Sequence, residues 1–177
     1  WGMPVGFYER VKGYIQITAI QNTYTSNAYQ SAYKPVEKKP LLVDINEADT
    51  TAFIALPGIG SKLAARIVNF RDKLGGFHSI NQVGETYGVP DSTFQYIRTM
   101  LVVSNTRVKK ININTVTKDE LKLHPYIRWN LANAIIEYRL QHGKYSDLNQ
   151  LKQIAIIDEA TFNKIVPYLT TSSLENE

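Results

Sequence analysis

The chain has 177 residues, 44% hydrophobic and 20% charged, with no cysteine and a mean hydropathy of −0.24. These values exclude a wholly disordered chain, a disulfide scaffold and a zinc site built on thiolates. The net charge is +4 and the pI near 9.2, which suits a polyanionic partner.

Three scattered histidines, His78, His124 and His142, form no metal-binding pattern, and neither metal nor cofactor is expected. No apolar run reaches the roughly 20 residues that span a bilayer, so no membrane contact is expected of this segment. Trp1 rather than Met opens the sequence, which leaves a signal peptide or anchor upstream open.

Shifted by 68 residues, the chain falls on itself without a gap. Ile45-Asn46 meets Ile113-Asn114, Pro57 meets Pro125, and Ile59 meets Ile127. Leu63-Ala64 meets Leu131-Ala132, Arg71 meets Arg139, Gly75 meets Gly143, and Gln82 meets Gln150. Phe94, Ile97 and Leu101 meet Phe162, Ile165 and Leu169. Matches concentrated at apolar positions and glycines indicate a duplicated core with its turns.

In chain order, residues 1–15 match the last quarter of such a module. Trp1-Gly2-Met3-Pro4 parallels Tyr87-Gly88-Val89-Pro90, and Tyr8, Val11 and Ile15 fall where Phe94, Ile97 and Leu101 sit. Trp1 and Tyr8 are expected in a core. Residues 16–42 hold no helical or alternating period and are assigned to a linker, with tyrosines at 24, 29 and 33 available to pack on a neighbour.

Residues 43–101 form the clearest module. Asp49 is the expected N-cap of a helix near 50–56. A second helix runs from Ser61 to about Leu74, with Leu63, Ile67, Phe70 and Leu74 on one face and Gly75-Gly76 as its terminator. Ser79-Ile80-Asn81-Gln82 opens a short third helix, and Asp91 is expected to cap a fourth. Only residues 41–45 suggest a strand.

Residues 102–110 are a second linker carrying Arg107, Lys109 and Lys110, and residues 111–169 repeat the module from a capping box at Thr117-Lys118-Asp119-Glu120. Residues 170–177 are a polar tail. The expected class is all-α, tandem modules of short antiparallel helix pairs.

The sharpest motif is Leu56-Pro57-Gly58-Ile59-Gly60-Ser61-Lys62-Leu63-Ala64. Two glycines flank an apolar residue and a helix begins at once. The first amides of a helix lack internal partners and attract anions, helped by the helix dipole. Ile59 would plug the turn into the core, and Lys62 would add charge beside a phosphate.

This pattern resembles the helix-hairpin-helix motif. With Ile45-Asn46 ahead of it, Ile67 to Arg71 and Gly76-Phe77 after it, and a degenerate second hairpin, the frame resembles the ComEA-type competence family. The resemblance covers 43–101 well and 111–169 more loosely. It implies sequence-nonspecific binding of double-stranded DNA and a bacterial, exported or membrane-anchored protein. Partners in a DNA-uptake or secretion complex follow from the same likeness. The candidate phosphate-binding residues are Gly58, Ile59, Gly60, Ser61, Lys62 and Arg66.

The third copy departs from the pattern. Its hairpin reads His124-Pro125-Tyr126-Ile127-Arg128-Trp129, with both glycines lost. A structural hairpin is expected there, while Arg128, Trp129, Lys109 and Lys110 remain secondary DNA contacts. Residues 44–101 carry a net charge of −1, residues 102–177 +2 and residues 1–43 +3.

Gly88-Val89-Pro90-Asp91 has the outline of a DNA glycosylase loop with a catalytic aspartate. The partial copy at residues 1–15 has Val5 at that place, so a helix cap is the simpler role and no enzyme is expected. For Arg71 and Arg139, a salt bridge or helix-end cap is preferred to a phosphate contact. A repeat scaffold for protein partners stands as the alternative to DNA binding.

Overall fold

The computed structural model describes residues 2, 4–15, 42–106 and 108–172. Two units are distinguished, Trp1–Lys38 and Lys39–Glu177. In the first, a short helix, α1 (Phe7–Val11), continues into a 3-10 turn, Lys12–Tyr14. Tyr8 is 67% exposed rather than buried in a core. Trp1 and the tyrosine-rich stretch from 16 to 41 lie outside the described residues.

The second unit holds two copies of one plan. The first copy contains β1 (Val43–Asp44), α2 (Thr50–Ile54), α3 (Ser61–Leu74), α4 (Asn81–Gly84), α5 (Asp91–Ile97) and β2 (Leu101–Val102). The second contains β3 (Ile111–Asn112), α6 (Lys118–Leu121), α7 (Trp129–His142), a 3-10 helix Leu148–Gln153, α8 (Glu159–Ile165) and β4 (Leu169–Thr170). The mainly helical class expected from the sequence is observed.

Local chemistry explains the helices. Asp49 caps α2 by accepting the Ala52 amide at 2.8 Å. Thr117 and Glu120 cap α6 reciprocally. Helix α3 spans the length read from its apolar spacing, burying Ala64, Ile67 and Leu74. It stops at Gly75, whose φ of 83° is the left-handed conformation glycine adopts without a Cβ penalty. At the start of α5 the expectation is corrected. Pro90 occupies the cap position, and Asp91 is the first helical residue.

The four short strands go beyond the single one expected. Val43 and Asp44 pair in parallel with Leu101 and Val102, and Ile111 and Asn112 with Leu169 and Thr170. Each pair brings the two ends of its copy together. Asn46 then clamps the chain beyond α3, exchanging hydrogen bonds with the Phe77 amide (2.7 Å) and carbonyl (2.8 Å). Asn114 does the same with Tyr145 at 2.8 and 2.9 Å. This clamp is the physical reason that Ile-Asn recurs in the frame. The arginines late in the long helices serve the same junction. Arg71 donates to the Ala48 carbonyl at 2.5 Å, and Arg139 to those of Ile113 (2.6 Å) and Val116 (3.0 Å).

Candidate nucleic-acid interface

The turn between α2 and α3 is closed by the Ile59 amide donating to the Leu56 carbonyl at 3.2 Å. Gly58 takes φ of 79°, and a Cβ there would meet Thr93 Cγ2 at 3.0 Å. Ile59 is 4% exposed and sits in the core, so it anchors the turn. Its amide is committed to that turn, so it is not free to face a ligand.

Gly60 is different. Its backbone is extended (φ −88°, ψ 174°), and a Cβ would meet nothing within 4 Å. The conformation suits any residue, so the glycine's effect is to leave the start of α3 bare. No side chain caps this helix, and its first turn holds no acidic residue. Gly60, Ser61 and Lys62 are all exposed. The leading N–H groups of a helix with fourteen aligned peptides thus face outward beside an ammonium group.

Three other helices follow equivalent turns, closed by Val89 to Thr86 (3.1 Å), Ile127 to His124 (2.9 Å) and Ile157 to Ile154 (2.9 Å). Two of them repel anions. Asp91 stands in the first turn of α5. Asp158 caps α8, and its carboxylate accepts the Thr161 amide at 2.7 Å. The Thr161 hydrogen bonds hold Asp158 below its ordinary pKa and therefore ionised. Helix α7 is uncapped, with Arg128 in the same extended conformation as Gly60 (φ −73°, ψ 168°). Trp129 beside it is 59% exposed, with Lys118 Nζ 5.9 Å from its ring centre.

The structure therefore groups Gly58, Ile59, Gly60, Ser61 and Lys62 at one helix start. Arg66 lies one turn on and leans toward the next turn. Its guanidinium donates to the Tyr87 carbonyl at 3.4 Å and lies over the Tyr87 ring at 5.1 Å. Lys109 and Lys110 are not brought to this group. The Lys109 amide donates to the Gly75 carbonyl at 2.8 Å, at the far end of α3. Fourteen residues of helix, about 20 Å, separate the two ends.

Sequence reasoning missed what the second hairpin does. Tyr126 replaces the first hairpin glycine, yet no described non-glycine residue has positive φ, so the turn adapts. Its ring packs against the core of the first copy, 6.2 Å from Phe70. Its hydroxyl donates to Glu85 at 2.8 Å and accepts from Gln82 at 3.0 Å. Lys164 bonds the same Glu85 oxygen at 3.3 Å and lies over the Tyr126 ring at 5.4 Å.

Tyr168, fully buried, extends the same contact. Its hydroxyl accepts from Gln82 at 2.6 Å and donates to the Gly76 carbonyl at 3.0 Å. His124 is 4% exposed with its ring 4.7 Å from Tyr168. Burial pushes its pKa down to about 4. The signal was available in the repeat. At the 68-residue offset, His124, Tyr126 and Tyr168 stand where the first copy has Leu56, Gly58 and Met100.

The chain resembles several vertebrate proteins named Endonuclease/exonuclease/phosphatase family domain-containing protein 1. The zebrafish protein is 26% identical over 141 residues, covering 70% of this chain and 26% of the relative. The human protein is 22% identical over 152 residues, covering 70% and 27%, and the bovine protein 21% over 154 residues with the same coverage. The chain thus spans about a quarter of the length of these relatives. Their name points to an enzyme family, at low identity, and this corrects the expectation that no enzyme is involved. No solved structure matches. No helix of the described residues is long and apolar enough to cross a membrane. Residues 39–102 and 107–170 each match the family described as "Helix-hairpin-helix motif", whose members are generally nucleic-acid binding. With two tandem copies over most of its length, the chain belongs to the helix-hairpin-helix family.

Proposed function

We propose that this chain is the nucleic-acid-binding part of a larger protein and grips the DNA backbone without sequence preference. The observation that supports this is the start of α3, uncapped, free of acidic residues, bare at Gly60 and flanked by exposed Lys62. A phosphate placed there would meet the amides of Gly60, Ser61 and Lys62, with the Lys62 ammonium beside it. Gly58 and Ile59 would hold the turn in place, and Arg66 would add charge one turn on. Arg128 and Trp129 would make a weaker second contact, and Lys109 and Lys110 would add only a general positive field.

The relatives' name supplies a context. A backbone-binding segment joined to an endonuclease/exonuclease/phosphatase family domain would hold nucleic acid for chemistry on phosphate esters. The narrower DNA-uptake role, in an exported or membrane-anchored bacterial protein, rests on the frame residues alone and is the lesser reading. The second hairpin is instead used within the chain, where Tyr126 docks on Gln82 and Glu85 of the first copy.

Fluorescence anisotropy with a labelled duplex across a salt series tests the proposal. Binding should ignore sequence and weaken steeply with salt. Gly60→Asp and Lys62→Glu should each weaken it by about tenfold or more. Unchanged affinity in both variants would refute the site.

A further inference from the structure

Two exposed tyrosines flank the bare start of α3. Tyr87, at the tip of the turn before α5, is 83% exposed, and Tyr96, on α5, is 63% exposed. Phe53, Phe77 and Phe94 of the same copy are buried in its core. The two tyrosine rings contribute nothing to that core.

Their positions are related by the pairing of the two hairpins. The third residue of α5, Thr93, backs Gly58, while the third residue of α3, Leu63, backs Gly88. On one flank Tyr96 lines a shallow depression of about 350 Å³ with Pro57, Gly58, Ser92 and Thr93. On the other, Arg66 covers the Tyr87 ring at 5.1 Å, one helical turn beyond Lys62. The matching positions of the second copy are Ala155 and Lys164, so neither ring is repeated there. These two rings belong to the copy that keeps both hairpin glycines, whereas the second copy exposes Trp129 at its own hairpin.

A duplex hides its base faces inside the stack and offers exposed rings little. Unpaired bases present those faces, and stacking on aromatic side chains is tolerant of sequence. A cationic edge flanked by aromatic platforms is the arrangement that tracks a single strand. We propose that the hairpin face of the first copy captures single-stranded DNA. One phosphate lies on the α3 amides, and the neighbouring bases stack on Tyr96 and on the Arg66–Tyr87 pair. This inference rests on the DNA-binding reading of the same hairpin.

The test is anisotropy of the full chain at low salt with labelled oligo-dT and with duplex, each on the order of 20 units long. The single strand should bind more tightly. Tyr87→Ala and Tyr96→Ala should each weaken oligo-dT binding by about fivefold or more, leaving duplex affinity unchanged. Tyr96→Phe should retain wild-type affinity for the single strand. Both rings are exposed, so these variants should melt like the wild type. Duplex binding as tight as oligo-dT, or tyrosine variants without effect, would overturn the inference. Failure of the underlying reading looks different: neither form binds, or Gly60→Asp leaves both affinities unchanged.

Discussion

Tyr168 belongs to the second copy but completes the core of the first. It is fully buried, with ring centres of His124 at 4.7 Å, His78 at 5.7 Å and Tyr126 at 6.1 Å. Replacing it with Phe keeps the ring and removes one hydroxyl. Gln82 keeps Tyr126 as a partner, but the Gly76 carbonyl loses the donor at 3.0 Å and His78 Nδ1 loses the hydroxyl at 3.3 Å. A partly buried acceptor left without a partner falls at the low end of the cost of a buried one, about 1 kcal/mol. At about 4 °C per kcal/mol for a unit of this size, Tm should fall by roughly 4 °C. Tyr168→Ala also opens a cavity and should cost about 3–5 kcal/mol. Because the ring ties the two copies, the wild type and Tyr168→Phe should each melt in one transition, and Tyr168→Ala in two. Calorimetry reads both quantities. Two separate transitions in the wild type, or a Phe variant that melts with it, would refute the reasoning.

Gly60→Asp should raise stability by about a few tenths of a kcal/mol while weakening DNA binding. The backbone there is extended and open, and aspartate caps α2 and α8 from the same position. A lower Tm would show that the glycine serves the fold instead. Arg139→Met should cost about 2 kcal/mol in urea denaturation, because the Ile113 and Val116 carbonyls lose a charged donor. Unchanged stability would mean that water replaces the guanidinium. His124 gives a pH dependence. Its native pKa is about 4 against an ordinary 6.5, so the unfolded chain takes up the proton first as pH falls. Its contribution is present in full above about pH 6.5 and is lost toward pH 4, at up to about 1.4 kcal/mol per unit. His124→Leu, the residue of the matching position Leu56, should flatten the Tm-against-pH curve between those values; an unaltered slope would assign it to other groups.

Much of this fold could be read from residues alone because the responsible forces are local. The apolar spacing of Leu63, Ile67, Phe70 and Leu74 and the glycine at 75 define α3, and Thr117 with Glu120 defines the start of α6. The strands escaped notice for a physical reason. Two residues are too few to show an alternating pattern, and Val43 pairs with Leu101 across four intervening α-helices. Asp91 misled because an acidic residue favours both the cap and the first turn, and the cap position falls on Pro90, which is extended and offers no capping side chain. The interface was hidden in sequence because Tyr126 and Tyr168 come from distant segments and meet, ring to ring and on Gln82, only in the folded chain.

The two hairpins show how one turn acquires two uses. In the first, proline at the second position and glycine with φ of 79° at the third match a type II turn. A side chain there would be strained and would press on Thr93. In the second, Tyr126 holds an ordinary φ behind Pro125, which matches a type I turn. The change of turn accommodates a ring, and the ring reaches Gln82 and Glu85 of the other copy. Gln82 could accept it because its carbonyl oxygen already holds the His78 and Ser79 amides, leaving its NH2 group free to donate. Gln150 makes the same backbone bonds to Ser146 and Asp147 in the second copy. Each copy therefore holds a glutamine whose NH2 group is free of these backbone bonds, and Tyr126, at the position of Gly58, brings a phenol to that of Gln82. The copy without hairpin glycines docks on its neighbour through Tyr126, and the copy that has them leaves the start of α3 without a capping side chain.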